Sequence, residues 1–177
     1  TRTIRPVNKV MGPGNAYVAE AQRQVFGEVG VDLLPGPSEA MAIADETARP
    51  DYLAADLLAQ AEHGSGKERI YLVHSSPLQA GAVARAAKRM LDKLSHAAAI
   101  RKVWATRTCF IEVSGLEEAV AVANFVAPEH LELHVAKIHY HRLVRGIRTA
   151  GAILCGHETP TVIGDFTAGP SHTLPTG

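Results

Sequence analysis

The sequence has little cysteine and no excess of either charge. Only two of its 177 residues are cysteine, at positions 109 and 155, and their spacing fits no zinc motif. Both lie in short apolar stretches, so we expect reduced, buried and structural thiols, with a catalytic thiol as the less favoured alternative. The 18 basic and 18 acidic side chains cancel. A basic field for nucleic acid and an acidic tail are therefore excluded.

Long apolar runs are also missing. No run approaches the roughly 20 residues that a membrane helix requires, and the N-terminal TRTIRPVNKV lacks the apolar core of a secretory signal. We therefore expect a cytoplasmic protein that binds a small molecule and has neither nucleic acid nor a membrane as its partner. With 46% hydrophobic and 20% charged residues, the chain suits one compact domain or parts of two.

Short strand-like runs alternate with helical patterns along the chain. The strand-like runs are VNKVM, VDLL, AMAIAD, RIYLVHS, CFIEV, LELHV and GAILC. The helical patterns fall at about 15–26, 50–62, 77–97, 116–125 and 139–150. Strands separated by helices of this length imply right-handed crossovers. We predict a Rossmann-like α/β fold with a mainly parallel sheet flanked by helices, and a domain junction at the turn PGPSE.

Three turn-rich stretches could carry chemistry. MGPGNAYV places Asn15 near a helix N-cap, where a phosphate could bind, although a simple capped turn is the better-supported alternative. In QAEHG, Gln60 and His63 share one face of a helix end and could bind a cation, or they could form a solvated helix end. GDFTAGPSH offers Asp165 and His172 on a loop. Asp165 could complete a zinc site with Gln60 and His63, the alternative being a turn-forming aspartate.

The stretch APEHLELH could be a metal site, an acid/base pair or ordinary surface. His130 and His134 would share a helix face, but the apolar residues of this stretch alternate as in a strand. On a strand, His130, Glu132 and His134 share one face and Glu129 lies on the other. The pattern also fails to match H-E-x-x-H, so we reject a metalloprotease site. Pro128 would fix a bend that presents Glu129 and His130 as a general acid/base pair, with exposed polar residues at a turn as the alternative.

Five stretches together resemble histidinol dehydrogenase, in the same order and with similar intervals over nearly the whole chain. They are GPGNAYVAEAQRQV, GPSEAMAIAD, DLLAQAEHG, APEHLEL and GDFTAGPSHTLPTG. The resemblance implies NAD-dependent oxidation of L-histidinol to L-histidine through L-histidinaldehyde, on a zinc-containing homodimer at the end of histidine biosynthesis. Alternatives are a relative that oxidises another polar alcohol and a non-catalytic module that binds zinc or a small molecule.

The resemblance also implies a partial chain. The N-terminal half, which supplies the start of both α/β domains, and the C-terminal segment, which supplies a further zinc-ligand histidine across the dimer interface, would be missing. Residues 1–38 would end the dinucleotide-binding domain, and residues 39–177 would form the second part of the zinc- and substrate-binding domain.

Site residues follow from the resemblance position by position. Those implied as ligands of one Zn²⁺ per active site are Gln60, His63 and Asp165. Those implied as substrate contacts are Ser38, Gln60, His63, His130, Asp165 and His172. Asn15 falls where the family contacts NAD⁺, and Glu129 and His130 match the family's catalytic acid/base residues.

Overall fold

A computed structural model describes residues 3–12, 14–34, 36–166 and 174. The strands are Lys9–Val10 (β1), Gly30–Val31 (β2), Glu39–Ala44 (β3), Arg69–His74 (β4), Thr108–Glu112 (β5), His130–His134 (β6) and Ala152–Cys155 (β7). The α-helices are Ala16–Val25 (α1), Pro50–Ala61 (α2), Pro77–Leu91 (α3), Ala97–Arg107 (α4), Leu116–Val126 (α5) and Tyr140–Gly146 (α6). Two 3₁₀ helices span Lys137–His139 and Thr161–Asp165.

Five strands form one parallel sheet in the order β5-β4-β3-β6-β7. From β3 the chain adds β4 and β5 on one side, and it then adds β6 and β7 on the other side. The direction of winding reverses between β3 and β6, as it does at the switch point of doubly wound folds. The predicted α/β fold with a mainly parallel sheet is confirmed.

Helices cover both faces of this sheet, because alternate residues of each buried strand point to opposite sides. On one face the core contains Ala42, Leu57, Leu72, Val83 and Ile100, contributed by β3, α2, β4, α3 and α4. On the other face it contains Met41, Val73, Ala119, Leu131 and Leu143, contributed by β3, β4, α5, β6 and α6. The two faces differ along β6, where the candidate site lies.

The first strand-helix-strand unit forms a separate small sheet. β1 and β2 pair in parallel as a two-stranded sheet, with α1 between them in sequence. The five-stranded sheet begins with Glu39, which is the last residue of the turn PGPSE that was predicted to be a domain junction. The division into residues 1–38 and 39–177 stays a prediction.

Three expectations about local structure were wrong. The single helix predicted over 77–97 ends at Leu91, and a separate helix, α4, follows the segment DKLSH, whose aspartate, serine and histidine are poor helix formers. The helix predicted to reach residue 150 ends at Gly146. The cysteines are not buried, since Cys109 is exposed and Cys155 is half-buried. They lie on β5 and β7, which are the two edges of the sheet.

None of the helices in the described part of the chain is both long enough and apolar enough to cross a bilayer.

Candidate active site

One face of β6 is polar, whereas the corresponding face of its neighbour β3 is made of alanine. The register pairs His130, Glu132 and His134 with three alternating alanines of β3. Two of those alanines pack in the core beneath α2. The polar side chains of β6 therefore point to the side of the sheet that α2 covers. The expected strand, with these three residues on one face, is confirmed.

The amino ends of β3 and β6 bring together three predicted site residues. Ser38 Oγ donates a hydrogen bond to Glu129 Oε2 at 2.8 Å, and the backbone N–H of Glu39 donates to the same oxygen at 3.2 Å. His130 Nδ1 lies 3.6 Å from this oxygen, and it has no hydrogen-bond partner in the described part of the chain. The side chains of Glu129 and His130 are only 14% and 16% exposed, so the alternative of freely exposed turn residues is wrong.

A strained bend presents this pair. Helix α5 ends at Ala127, which adopts a left-handed conformation with φ 51°, and Pro128 follows. The carbonyl of Pro128 accepts from the N–H of Gly151 at 3.0 Å, and the carbonyl of Glu129 accepts from the N–H of Ala152 at 2.9 Å. A non-glycine residue in this region is strained by about 1 kcal/mol or more, and such positions often lie at functional sites.

Gln60 and His63 lie at the end of α2. The connection from α2 leads to β4, whose first residue donates its N–H to the carbonyl of Ser38 at 3.1 Å, so α2 ends toward the same edge of the sheet as Ser38. Gln60 is 7% exposed, and its Nε2 has no partner in the described part of the chain. His63 is exposed, in a turn where Glu68 Oε1 accepts from the N–H of Ser65 at 2.5 Å. Within that part, no hydrogen bond links Gln60 or His63 to Glu129 or His130.

The remaining predicted ligand, Asp165, and the predicted substrate contact His172 fall partly or wholly outside the described residues. Asp165 belongs to the second 3₁₀ helix, but its side chain is outside the described part of the chain, as is the whole of His172. The first residue of that 3₁₀ helix, Thr161, contacts β6, because its N–H and its Oγ1 both donate to Glu132 Oε1, at 2.8 and 2.6 Å.

A buried cluster beside these residues escaped the sequence analysis. Glu132 Oε2 lies 3.1 Å and Asp56 Oδ2 lies 3.8 Å from His134 Nε2. Burial and, to a smaller extent, the negative charge of Glu132 raise the pKa of Asp56 to about 7, while His134 opposes the shift. Two signals could have revealed the cluster, namely charged residues on a buried strand and an aspartate one helical turn before Gln60. Its ligand atoms lie close enough to hold a metal ion.

Asn15 has the local role that its sequence predicts. It is the N-cap of α1, and its Oδ1 accepts from the N–H groups of Tyr17 and Val18 at 3.0 and 3.2 Å. Because the residue is exposed, its amide remains accessible to a ligand at this helix end.

Two shallow cavities, of about 210 and 430 Å³, lie elsewhere on the surface. The first lies between α5 and α6, and the second lies between α3 and α4. Neither is lined by a predicted site residue. The site is therefore assigned from polar contacts rather than from cavity size.

Known proteins of one family match nearly the whole chain. The family model described as histidinol dehydrogenase matches residues 1–177. Curated histidinol dehydrogenases from Rhizobium meliloti and Agrobacterium fabrum are 48% and 49% identical over 176 residues, which are 99% of this chain and 40% of each relative. The chain thus spans about 40% of the length of these relatives.

Solved structures agree with the sequence comparison. The crystal structure of histidinol dehydrogenase from Elizabethkingia anophelis matches with a TM-score of 0.90 and 34% identity, over 99% of this chain and 40% of that chain. Gamma-glutamyl phosphate reductase from Thermotoga maritima matches with a TM-score of 0.57 and 15% identity, over 90% of this chain and 43% of that chain, and it shares the fold alone. The sequence match over the whole chain and the close structural match together show that this chain belongs to the histidinol dehydrogenase family.

Proposed function

We propose that this chain serves the NAD-dependent oxidation of L-histidinol to L-histidine through L-histidinaldehyde, in histidine biosynthesis. The observation that carries the proposal is the contact between Ser38 and Glu129, beside His130, in a chain that belongs to the histidinol dehydrogenase family. In the first step the alcohol loses a hydride to NAD⁺ and its hydroxyl proton to a base. In the second step the aldehyde adds water, and the hydrate loses a second hydride to another NAD⁺ and two protons to base and solvent, which yields the carboxylate.

His130 is the base that we assign to the alcohol. An imidazole titrates near neutral pH and can take the hydroxyl proton as the hydride leaves. Its Nδ1 is without a hydrogen-bond partner in the described part of the chain, and the nearby Glu129 carboxylate would stabilise the imidazolium that forms.

Glu129 is the residue that we assign to water activation in the aldehyde step. The hydroxyl of Ser38 and the N–H of Glu39 fix one of its carboxylate oxygens, so the group is oriented before substrate binds. The same hydroxyl of Ser38 can accept a hydrogen bond from the substrate, which is consistent with a role in substrate binding.

Zinc fits the donor set of Gln60, His63 and Asp165. An amide oxygen, an imidazole nitrogen and a carboxylate oxygen are ligands that zinc accepts. When bound, zinc would supply a positive charge that orients the imidazole and amine of the substrate. The cluster of Asp56, Glu132 and His134 is the less suitable zinc site, because Glu132 Oε2 and His134 Nε2 already contact each other at 3.1 Å.

NAD⁺, the subunit arrangement and the location follow from the resemblance to the family. We propose that Asn15 contacts NAD⁺, that residues 1–38 end the dinucleotide-binding domain, and that residues 39–177 belong to the zinc- and substrate-binding domain. The separate β1-β2 sheet supports this division. We also propose a homodimer in the cytoplasm.

Calorimetric titration of L-histidinol into the zinc-loaded chain tests the proposal. Binding should require zinc and should disappear after chelation. His63→Ala should lose the metal and His130→Ala should keep it, while His141→Ala, which changes an exposed histidine on α6, should behave like wild type. Stoichiometric zinc in His63→Ala would exclude His63 as a ligand. Zinc-dependent binding of a different polar alcohol in place of histidinol would favour a relative with another substrate.

A further inference from the structure

Glu132 is a buried carboxylate that the proposed reaction does not use. It is 2% exposed and lies in the middle of β6. Its two carboxylate oxygens have different partners. Oε1 accepts from the N–H and the hydroxyl of Thr161, and Oε2 lies 3.1 Å from His134 Nε2. Few buried carboxylates are retained without compensating hydrogen bonds, because desolvation of the charge is costly.

Each contact of Glu132 leads to a segment that carries a predicted site residue. Thr161 begins the 3₁₀ helix that contains Asp165. His134 Nε2 is 3.8 Å from Asp56, which lies one turn before Gln60 on the same face of α2. Strand β6 itself carries His130, two residues before Glu132 and on the same face.

We propose that Glu132 is the positioning residue that assembles the active site, by fastening the second 3₁₀ helix and the end of α2 to the strand that carries His130. The roles of Gln60, Asp165 and His130 in this inference rest on the proposed function. The contacts of Glu132, and its role in holding the 3₁₀ helix and α2 against β6, do not depend on that function.

The charges in the cluster are compatible with this role. Burial and the charge of Glu132 raise the pKa of Asp56 to about 7, with His134 opposing the shift, so Asp56 keeps its proton below that pH while Glu132 remains the acceptor. A protonated aspartate beside an ionised glutamate avoids repulsion between two buried negative charges. Within the cluster, Glu132 and His134 of β6 are 3.1 Å apart, and β6 meets α2 where His134 Nε2 lies 3.8 Å from Asp56 Oδ2.

Zinc affinity of Glu132 variants tests the proposal. Groups that hydrogen-bond a metal ligand typically change metal affinity by about 10- to 100-fold when they are removed. Glu132 contacts the segments that carry the ligands and not the ligands themselves, so we expect a loss near the lower end of that range in Glu132→Ala. Glu132→Gln keeps an acceptor for Thr161 and can donate to His134, so it should restore affinity to within a few-fold of wild type. The matched control Glu158→Ala, which changes an exposed residue in the connection before Thr161, should leave affinity unchanged.

Amide hydrogen exchange supplies a second readout that requires no metal. The N–H of Thr161 should exchange at least 10-fold faster in Glu132→Ala than in wild type, and close to the wild-type rate in Glu132→Gln. If wild type binds no zinc, the three proposed ligands do not suffice to hold the metal in this chain, and the exchange rates then test the placement of the segments.

Two results would overturn the inference. One is a Glu132→Ala variant with wild-type zinc affinity and wild-type exchange at Thr161. The other is a Glu132→Gln variant as impaired as the alanine variant, because charge rather than placement would then be required. If Glu132→Ala does not fold, Thr161→Val provides the test, since it removes one donor to Glu132. It should weaken zinc binding several-fold, and wild-type affinity in that variant would contradict the proposal.

Discussion

The two faces of β6 are equally buried, yet they are built from opposite chemistry. Leu131, Leu133 and Val135 are all 0% exposed and pack against α5, α6 and neighbouring strands. Glu132 and His134, on the other face, are 2% and 0% exposed. They are held by hydrogen bonds and charge contacts instead of dispersion.

This difference shows how a single strand can serve stability and chemistry at once. Because side chains alternate across a strand, the apolar face anchors β6 in the core without limiting what the polar face carries. The polar side chains of β6 point toward α2 and lie next to the alanines of β3. The small alanine side chains leave room for these larger polar groups. Substitutions on the apolar face should therefore lower stability without changing zinc or substrate binding, whereas substitutions on the polar face should change binding.

The largest expected effect comes from a substitution on the apolar face of β6. Leu133→Ala should lower the free energy of unfolding by about 2 to 5 kcal/mol, because it leaves a cavity around a fully buried side chain. Urea unfolding followed by circular dichroism measures the change. Variants that remain folded should bind zinc as wild type does. A loss of less than about 1 kcal/mol would show that this face is less well packed than the structure indicates.

On the polar face, a pH titration of stability isolates Asp56. The raised pKa means that the folded chain keeps a proton that the unfolded chain has lost between about pH 4 and pH 7. Its contribution is thus present below about pH 4 and is lost as the pH rises through about 7. The free energy of unfolding should fall by up to about 4 kcal/mol across this range, since one pKa unit corresponds to about 1.4 kcal/mol.

Asp56→Asn should flatten this fall, because asparagine imitates the protonated acid. Asp51→Asn is the matched control on the same helix, where the aspartate side chain is 63% exposed and pairs with Arg89. Its pH profile should follow wild type. A fall of the same size in Asp56→Asn as in wild type would rule out Asp56 as its source.

A smaller effect is expected at the amino end of the polar face. Ser38→Ala removes the hydroxyl that donates to Glu129, and it should lower the free energy of unfolding by about 1 kcal/mol. Ser76→Ala is a suitable control, because Ser76 precedes α3 without a side-chain capping bond. Thermal unfolding of both variants provides the comparison. Equal changes would mean that the contact between Ser38 and Glu129 contributes nothing to stability.

The smallest effect concerns the bend that joins α5 to β6. Ala127→Gly should stabilise the chain by a few tenths to about 1 kcal/mol, since glycine adopts the left-handed conformation without strain. The same change at Ala123, which is buried inside α5, should destabilise it. Destabilisation by the glycine at position 127 would show that the bend stores no strain.

Local patterns predicted much of the fold and less of the site. The alternation in LELHV predicted β6 and its polar face, and the strand-helix periodicity predicted the parallel sheet. The contact between Ser38 and Glu129 joins residues 91 positions apart, and no spacing rule reaches that far. Glu132 was visible as a strand residue, but its partner Thr161 depends on how the chain returns after β7. The exposure of Cys109 depends on strand order, which the sequence pattern does not contain.

Chemical-shift mapping by NMR tests the division between the two faces most directly. The isotope-labelled, zinc-loaded chain would be titrated with L-histidinol while the amide resonances are followed. The account predicts shifts that concentrate at Ser38, Gln60, His63, Glu129 and His130, with little change at Leu143 and its neighbours on the apolar side. Shifts that cluster around α5 and α6, or no shifts at saturating zinc and histidinol, would contradict it.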